Sequence, residues 1–215
     1  MIGKQVEHSH YIFSNYVTQR RWASMWHQVD EVLGAGGGRV LEIGPGPGIF
    51  KAVMLRLGVE IETLDLDPEL QPDHVASATA MPFDDSSFDT VCAFQMLEHL
   101  PFDQSLIAFS EMVRVARNRI IISLPDSKTG YRFMFSFPKV GEIRFSLPHP
   151  RSFFRARPHK WDGEHYWEIS KAGYSIDEVI RAFNGAELGV RLLKSYRVWE
   201  NRYHHFLIFE KTSAK

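Results

Sequence analysis

The chain has 215 residues, 44% of them hydrophobic, a formal net charge of -1 and a single cysteine. That length supports one sizeable core with additions rather than two full domains. The near-neutral balance disfavours nucleic acid as a partner, the lone Cys92 excludes an internal disulfide framework, and no apolar run approaches the roughly 20 residues that span a bilayer. The start, "MIGKQVEHSHYIF", has no apolar segment resembling a signal peptide, so the expected compartment is the cytoplasm.

From about Tyr11 to Leu33, the residues Ile12, Tyr16, Trp22, Trp26, Val29 and Leu33 recur at helical spacing. They predict an amphipathic helix with these residues on its apolar face, ended by "GAGGG". Strand, turn and helix then alternate. "RVLEI" predicts a buried strand, and "GIFKAVMLRLG" a helix with Ile49, Phe50, Val53, Met54 and Leu57 on one side and Gly58 at its C-terminal cap. "VEIETLDLD" and "DTVCAFQ" predict two more strands, "QSLIAFSEMVRVA" a second helix, and "RIIISLP" another buried strand. Such alternation predicts an α/β fold whose mostly parallel sheet is covered by helices on both faces. Residues from Ser127 to Glu168 read as irregular, rich in Phe, Pro, Arg and His. "SIDEVIRAF" predicts a closing helix, and "ELGVRLLKSYRVW" followed by "HHFLIFEK" an antiparallel pair at a sheet edge. The organisation expected is a helical cap (1–37), a ligand-binding core (38–126), an irregular insertion (127–168) and a closing helix and strand pair (169–215), with no internal repeat.

"GRVLEIGPGPGIF" carries Gly44, Gly46 and Gly48 on the turn after the first strand, where a parallel sheet opens a ligand crevice. Bare glycines there let backbone approach a ligand closely while N–H groups at the helix start hydrogen-bond it. The dinucleotide pattern G-x-G-x-x-G fails because its third glycine is Ile49, and the phosphate-binding P-loop fails because no Lys-Ser or Lys-Thr pair follows. About 20 residues past the first glycine, Asp65 closes the second strand, where a carboxylate can accept both hydroxyls of a ribose. The site described is one for an adenosine-like nucleoside without a required phosphate. Glu42, inside the first strand, either partners a cationic ligand or makes a structural hydrogen bond to the glycine turn.

"VLEIGPGPG", "LDLDP", "ATAMPFDDSSFDTV", "AFQMLEHL" and "FSEMVRVARNRIIISLP" together resemble the successive motifs of class I S-adenosylmethionine-dependent methyltransferases, in the type 11-like group that acts on small molecules and lipids. The resemblance covers roughly Arg39 to Pro125. It implies a Rossmann-like fold with a mostly parallel seven-stranded sheet and an antiparallel C-terminal edge strand, S-adenosylmethionine as cofactor and S-adenosylhomocysteine as product. Carried over residue by residue, it implies that Gly44, Gly46 and Gly48 hold the methionine part and Asp65 the ribose. It also sets Leu66 beside the adenine with Ala78, Thr79 and Met81, and faces Gln95 to the methionine end. The family often has Asp where this chain has Ser77, and its usual "PGG" turn is "ARNR" here.

A sulfonium methyl is already activated, so transfer needs an acceptor held in line and a base only if a hydroxyl must lose its proton. The turn "QMLEHLPF" lacks the D/N-P-P-Y-like pattern of base N-methylation; "LEHL" is similar to quinone O-methyltransferases. Related RNA-end methyltransferases read E-x-x-E-H with metal-binding carboxylates. Here the first position is Gln95, so Glu98 and His99 would need a further donor, His149 or His165, and no metal is expected. Glu98 and His99 are the candidates for catalytic roles, His99 as a base, against a reading in which Glu98 caps the loop and His99 packs beside the cofactor.

Between Lys128 and Lys160, six cations (Arg132, Lys139, Arg144, Arg151, Arg155, Arg157) interleave with Phe133, Phe135, Phe137, Phe145, Phe153 and Phe154 against the single acid Glu142. That mixture suits an anionic amphiphile or a peripheral membrane contact through residues 131–157, or a lid with buried phenylalanines. "WDGEHYWEIS" offers His165, Tyr166 and Glu168 to an acceptor, with His149 nearby in sequence. By resemblance, Tyr11, Tyr16 and Arg20 of the N-terminal extension would close the site. The function expected is methyl transfer to an oxygen of a small or lipid-like molecule; the alternative is a non-catalytic cofactor-binding protein that docks a partner or membrane.

Overall fold

The structure is a computed structural model, and it describes residues 18–150, 156–184 and 188–212. In chain order the elements are α1 (Gln19–Gly34), β1 (Arg39–Ile43), α2 (Ile49–Arg56), β2 (Glu60–Asp65), β3 (His74–Val75), β4 (Phe88–Phe94) and α3 (Phe102–Val115). They continue with β5 (Ala116–Pro125), β6 (Gly130–Phe137), β7 (Gly141–Pro148), α4 (Ile176–Phe183), β8 (Val190–Arg197) and β9 (His204–Lys211).

Seven strands form one sheet in the order β3-β2-β1-β4-β5-β9-β8. β1 runs parallel to β2 and β4, β4 parallel to β5, and β9 antiparallel to both β5 and β8. The Rossmann-like methyltransferase architecture expected from the motifs is the one observed. Because the pleat alternates, Leu41 and Ile43 of β1 enter the core with α3 and α4, while Val40 packs with Phe50 and Met54 of α2 on the other face. Both faces are covered, which is why the strand is buried from Val40 to Ile43. Among the described residues no helix is long and apolar enough to cross a membrane.

The cap helix departs from its sequence pattern. Trp22 and Trp26, expected on the apolar face, are 53% and 61% exposed, whereas Ser24, Gln28, Glu31 and Val32 are buried. The surface against which α1 rests is mixed: Met25, Val29 and Val32 pack on the apolar cluster of Phe50 and Phe206, and beside them the contacts are polar. Asn201 donates to Ser24 Oγ at 3.1 Å, and Glu31 accepts from Lys194 Nζ at 2.9 Å and from the Tyr196 hydroxyl at 3.0 Å. Buried polar groups that are hydrogen-bonded in this way cost little, so pairing overrides the apolar stripe. Ile12 and Tyr16 lie outside the described residues.

Part of the insertion is regular where an irregular segment was expected. β6 and β7 pair antiparallel as a separate two-stranded sheet with every residue exposed. Cross-strand partners share a face, so Tyr131, Phe133, Phe135 and Phe137 stand with Ile143, Phe145 and Leu147 on one side. Arg132, Met134, Ser136, Glu142, Arg144 and Ser146 stand on the other. The hairpin's Phe133, Phe135, Phe137 and Phe145 are therefore not the buried interior of a lid, while Arg151, Phe153, Phe154 and Arg155 lie outside the described residues. Two arginines of the polar side tether the hairpin to the β8–β9 connection, Arg132 through the Trp199 carbonyl at 2.6 Å and Arg144 through the Glu200 carboxylate at 2.9 Å.

Candidate functional site

The carboxyl ends of β1, β2, β4 and β5 share one sheet edge, and the glycine turn opens there. Gly44, Gly46 and Gly48 all have positive φ (71, 53 and 70°), the left-handed region that glycine enters without steric cost. At Gly44 a Cβ would also lie 2.5 Å from Met96 Cγ, and its N–H donates to the Leu64 carbonyl at 2.9 Å, tying the turn to β2. Gly48 caps α2 and faces open space, with nothing within 4 Å of an added Cβ.

Glu42 lies on the sheet face of Val40 and is 3% exposed, with Oε2 lacking any hydrogen-bond partner. Burial pushes its pKa up to about 8, with Lys51 opposing. Asp65 ends β2 beside the turn. Its Oδ1 accepts from the Asp67 N–H at 2.8 Å, and burial raises its pKa against that bond and one from the Leu66 N–H. Leu66 is exposed. Ala78 and Thr79 lie on a tight turn where Thr79 Oγ1 meets Ser77 Oγ at 2.8 Å. Met81 has its side chain buried in the core with Leu64 and Phe109. Its backbone is clamped there by Glu111, 2.8 Å from the Met81 N–H, and by Arg114, 3.1 Å from the Met81 carbonyl. Gln95 leaves β4 at a φ of 53°, a left-handed value uncommon outside glycine, with its N–H on the Ser123 carbonyl at 2.9 Å.

Beyond Gln95, a short 3-10 turn places Glu98 and His99. Glu98 is fully buried, neither carboxylate oxygen has a hydrogen-bond partner, and burial pushes its pKa up to about 8 with His165 opposing. His99 Nδ1 lies 2.9 Å from the Glu164 carbonyl, so this nitrogen carries the proton and Nε2 the lone pair. His165 Nδ1 meets Glu168 Oε1 at 3.2 Å, and the Tyr203 hydroxyl donates to the same oxygen at 2.6 Å. Against the upward push of burial, those two bonds hold the Glu168 carboxyl down to about 2. For His165 the downward push of burial is outweighed by Glu168 and the neighbouring acids, and the pKa is raised. Tyr166 donates its N–H to the Glu98 carbonyl at 2.9 Å, and its ring centroid sits 4.3 Å from that of Trp161.

The structure thus gathers Glu98, His99, His165, Tyr166 and Glu168, far apart in sequence. His149 stays at the base of β7, its ring centroid 5.3 Å from that of Tyr131, and is absent from the ligand-bearing groups found among the described residues. Arg20 is exposed on the first turn of α1, while Tyr11 and Tyr16 lie outside the described residues. Sequence reasoning missed Tyr203, although an antiparallel strand following β5 must begin where β5 ends, which places residues just before His204 at this edge. It also missed Asp126, where Arg197 Nε at 3.0 Å, His205 Nδ1 at 3.1 Å and Ser170 Oγ at 2.8 Å converge.

The residues at the glycine turn fit an S-adenosyl group: Glu42 is an orphaned buried carboxylate suited to a cationic centre, Gly48 leaves space, and Asp65 suits a ribose diol. Residues 41–122 match the family model described as a methyltransferase domain. An uncharacterized methyltransferase of Mycobacterium sp. (strain JLS) is 35% identical over 105 residues, covering 44% of this chain and 40% of that protein. A ubiquinone biosynthesis O-methyltransferase of Xanthomonas euvesicatoria pv. vesicatoria is 36% identical over 90 residues, covering 35% of this chain and 38% of that protein. The chain therefore spans less than half the length of these curated relatives. The crystal structure of magnesium protoporphyrin IX methyltransferase from Synechocystis PCC 6803 with bound S-adenosylmethionine superposes with a TM-score of 0.59 at 12% identity, over 95% of this chain and 90% of that one, a likeness of fold. Motifs, sheet order and the match over residues 41–122 agree: that stretch matches a methyltransferase domain, carried on the Rossmann-like fold that S-adenosylmethionine-dependent methyltransferases share.

Proposed function

We propose that the protein catalyses methyl transfer from S-adenosylmethionine to an oxygen of a small or lipid-like acceptor. The observation that carries this reading is that one sheet edge holds both halves of such a site. The glycine turn, Glu42 and Asp65 stand at the ends of β1 and β2, and the Glu98–His99–His165 group follows β4. When bound, the cofactor supplies an electrophilic methyl on a sulfonium. The chain's own work is to bind and orient. Asp65 accepts ribose hydroxyls and Glu42 faces the positive charge, while holding the acceptor in line contributes roughly 7–11 kcal/mol toward the barrier. His99, with its lone pair on Nε2, takes the proton of an acceptor hydroxyl.

The choice of oxygen is supported by the relatives named ubiquinone biosynthesis O-methyltransferase. A lipid-like acceptor, and peripheral membrane contact through 131–157, is supported by the uncovered aromatic side of the β6–β7 hairpin. The test uses S-adenosylmethionine with a labelled methyl, the purified protein and a lysate separated into organic, aqueous, glycan, protein and RNA fractions. Label in the organic or aqueous small-molecule fraction is the expected result. Label confined to protein or RNA would overturn the acceptor class, and none at all, with cofactor binding intact, would favour a non-catalytic binding protein.

A further inference from the structure

Asp126 follows β5 and is buried, and its carboxylate begins a chain of hydrogen bonds that ends at the surface. Asp126 Oδ2 lies 3.1 Å from His205 Nδ1, and His205 Nε2 lies 2.8 Å from Ser195 Oγ. Across β8 and β9, Arg197 pairs with His205 and Ser195 with Leu207 two positions along, so Ser195 and His205 share one face of the sheet. His205 is buried, whereas Ser195 is exposed. The polarity of the chain is set at its buried end. Arg197 Nε at 3.0 Å, Ser170 Oγ at 2.8 Å and the Lys128 N–H at 2.9 Å converge on Asp126, and against the upward push of burial they and His205 hold its carboxyl below the ordinary value. An ionised carboxylate only accepts, so His205 Nδ1 carries the proton and Nε2 offers its lone pair to the Ser195 hydroxyl. Ser170 reaches Asp126 from a φ of 72°, a strained value for serine that persists only where the surroundings hold it.

We propose that Ser195 and His205, positioned by Asp126, form a second catalytic site that hydrolyses small carboxylic esters through an acyl-serine. A nucleophile, a base within hydrogen-bond reach and a third group that orients the base are the parts that acyl transfer needs. Ser195 Oγ attacks the ester carbonyl carbon as its proton passes to His205 Nε2, and the carbonyl electron pair moves onto oxygen. Collapse expels the alkoxide, which takes that proton and leaves as the alcohol. Water then gives a proton to His205 Nε2 and attacks the acyl-serine. The carboxylic acid departs, and Ser195 regains its proton from His205. Asp126 fixes the imidazole tautomer and balances its charge in both steps. β8 is the outer strand of the sheet, so N–H groups that do not face β9 are open to other acceptors, as the Leu192 N–H is to Asn184 Oδ1 at 3.2 Å. Such donors are the ones available to an ester oxygen as it becomes negative. A brace between β8 and β9 would work with the imidazole alone and needs no exposed hydroxyl at its end.

The test is covalent labelling of the full chain with a fluorophosphonate, located by peptide mass, together with turnover of p-nitrophenyl acetate. A label on Ser195 is expected, and Ser195→Ala should lose both the label and the turnover. His205→Gln should slow labelling by about a hundredfold or more. Asp126→Asn should lower kcat for the ester while leaving KM unchanged, a split that a purely structural carboxylate would not produce. Because Ser195 is exposed, Ser195→Ala keeps the fold and the comparison stands whatever the buried variants do. No label on Ser195, turnover equal in S195A, or labelling equally fast in H205Q with its circular dichroism intact would overturn the proposal. S-adenosylmethionine binding, measured by calorimetry, should be the same in S195A and the unaltered chain, so failure of this site leaves the methyltransferase reading standing, and the reverse.

Discussion

The N–H of Tyr166 donates to the carbonyl of Glu98 at 2.9 Å, stitching the loop after β4 to a segment that arrives only after the hairpin has been made. Around that one bond lie the buried carboxylate, both histidines and the Glu168–Tyr203 pair. The ordering of this corner depends on it, and a Tyr166→Pro variant, which removes the donor, should lower kcat more than it raises the KM for cofactor. Steady-state kinetics read that split; an unchanged kcat would show that the stitch does no positioning.

Asp65 offers the clearest test of the cofactor site. Removing its carboxylate as Asp65→Ala should weaken S-adenosylmethionine binding by one to two orders of magnitude, from loss of about 1.5–3 kcal/mol in charge-assisted hydrogen bonds. Calorimetry measures it, and affinity unchanged within twofold would remove Asp65 from the site.

Cofactor binding should release a proton. Burial holds the Glu42 carboxyl up at about 8, so at neutral pH it carries its proton, and a cation placed beside it drives that proton off. The bound state then holds fewer protons than the free state, so affinity rises with pH until about pH 8. Titrations in buffers of different ionisation enthalpy should give close to one proton released, and Glu42→Gln should abolish it. Equal heats in all buffers would show that Glu42 keeps its proton.

His204 sets an acid limit on stability. Burial pushes its pKa down to about 3, with Arg21 adding to the push, and Nδ1 has no hydrogen-bond partner. The folded pKa is depressed below the ordinary value of 6.5, so the unfolded chain binds the proton first. Its stabilising share is complete above pH 6.5 and falls by roughly 1.4 kcal/mol per pH unit as pH drops toward 3. Denaturant unfolding at pH 7, 6 and 5 should show a shallower decline in His204→Leu than in the unaltered chain; parallel slopes would contradict this.

Gly44 and the hairpin should respond in opposite ways. Gly44→Ala adds a Cβ at 2.5 Å from Met96 Cγ and at a φ of 71°, so it should cost roughly 1–3 kcal/mol and displace the turn. The double change Phe133→Ser, Phe135→Ser removes side chains that are 38% and 49% exposed and should leave Tm within a few degrees while reducing flotation with lipid vesicles. A large fall in Tm would mean that the hairpin is packed in solution.

Local rules carried much of this protein. Apolar runs of strand length, helical spacing in "QSLIAFSEMVRVA" and "SIDEVIRAF", and glycines that tolerate positive φ all depend on near neighbours in the chain, and each is present as read. The period of two in "YRFMFSF" was equally local, yet it was obscured by the arginines and prolines around it, and the hairpin was read as irregular. What the linear pattern determined was the alternating α/β core, the glycine turn and Asp65 at the end of the neighbouring strand. Only the tertiary structure decided which face α1 buries, because Asn201, Lys194 and Tyr196 supply its polar partners from the distant edge of the sheet. It alone brought His165 to Glu98, through the return of residues 166–169 beside the end of β5, where the Ile169 N–H reaches the Pro125 carbonyl at 2.9 Å. Partners contributed from across a sheet leave no periodic trace in either segment, so their meeting is a property of the assembled core.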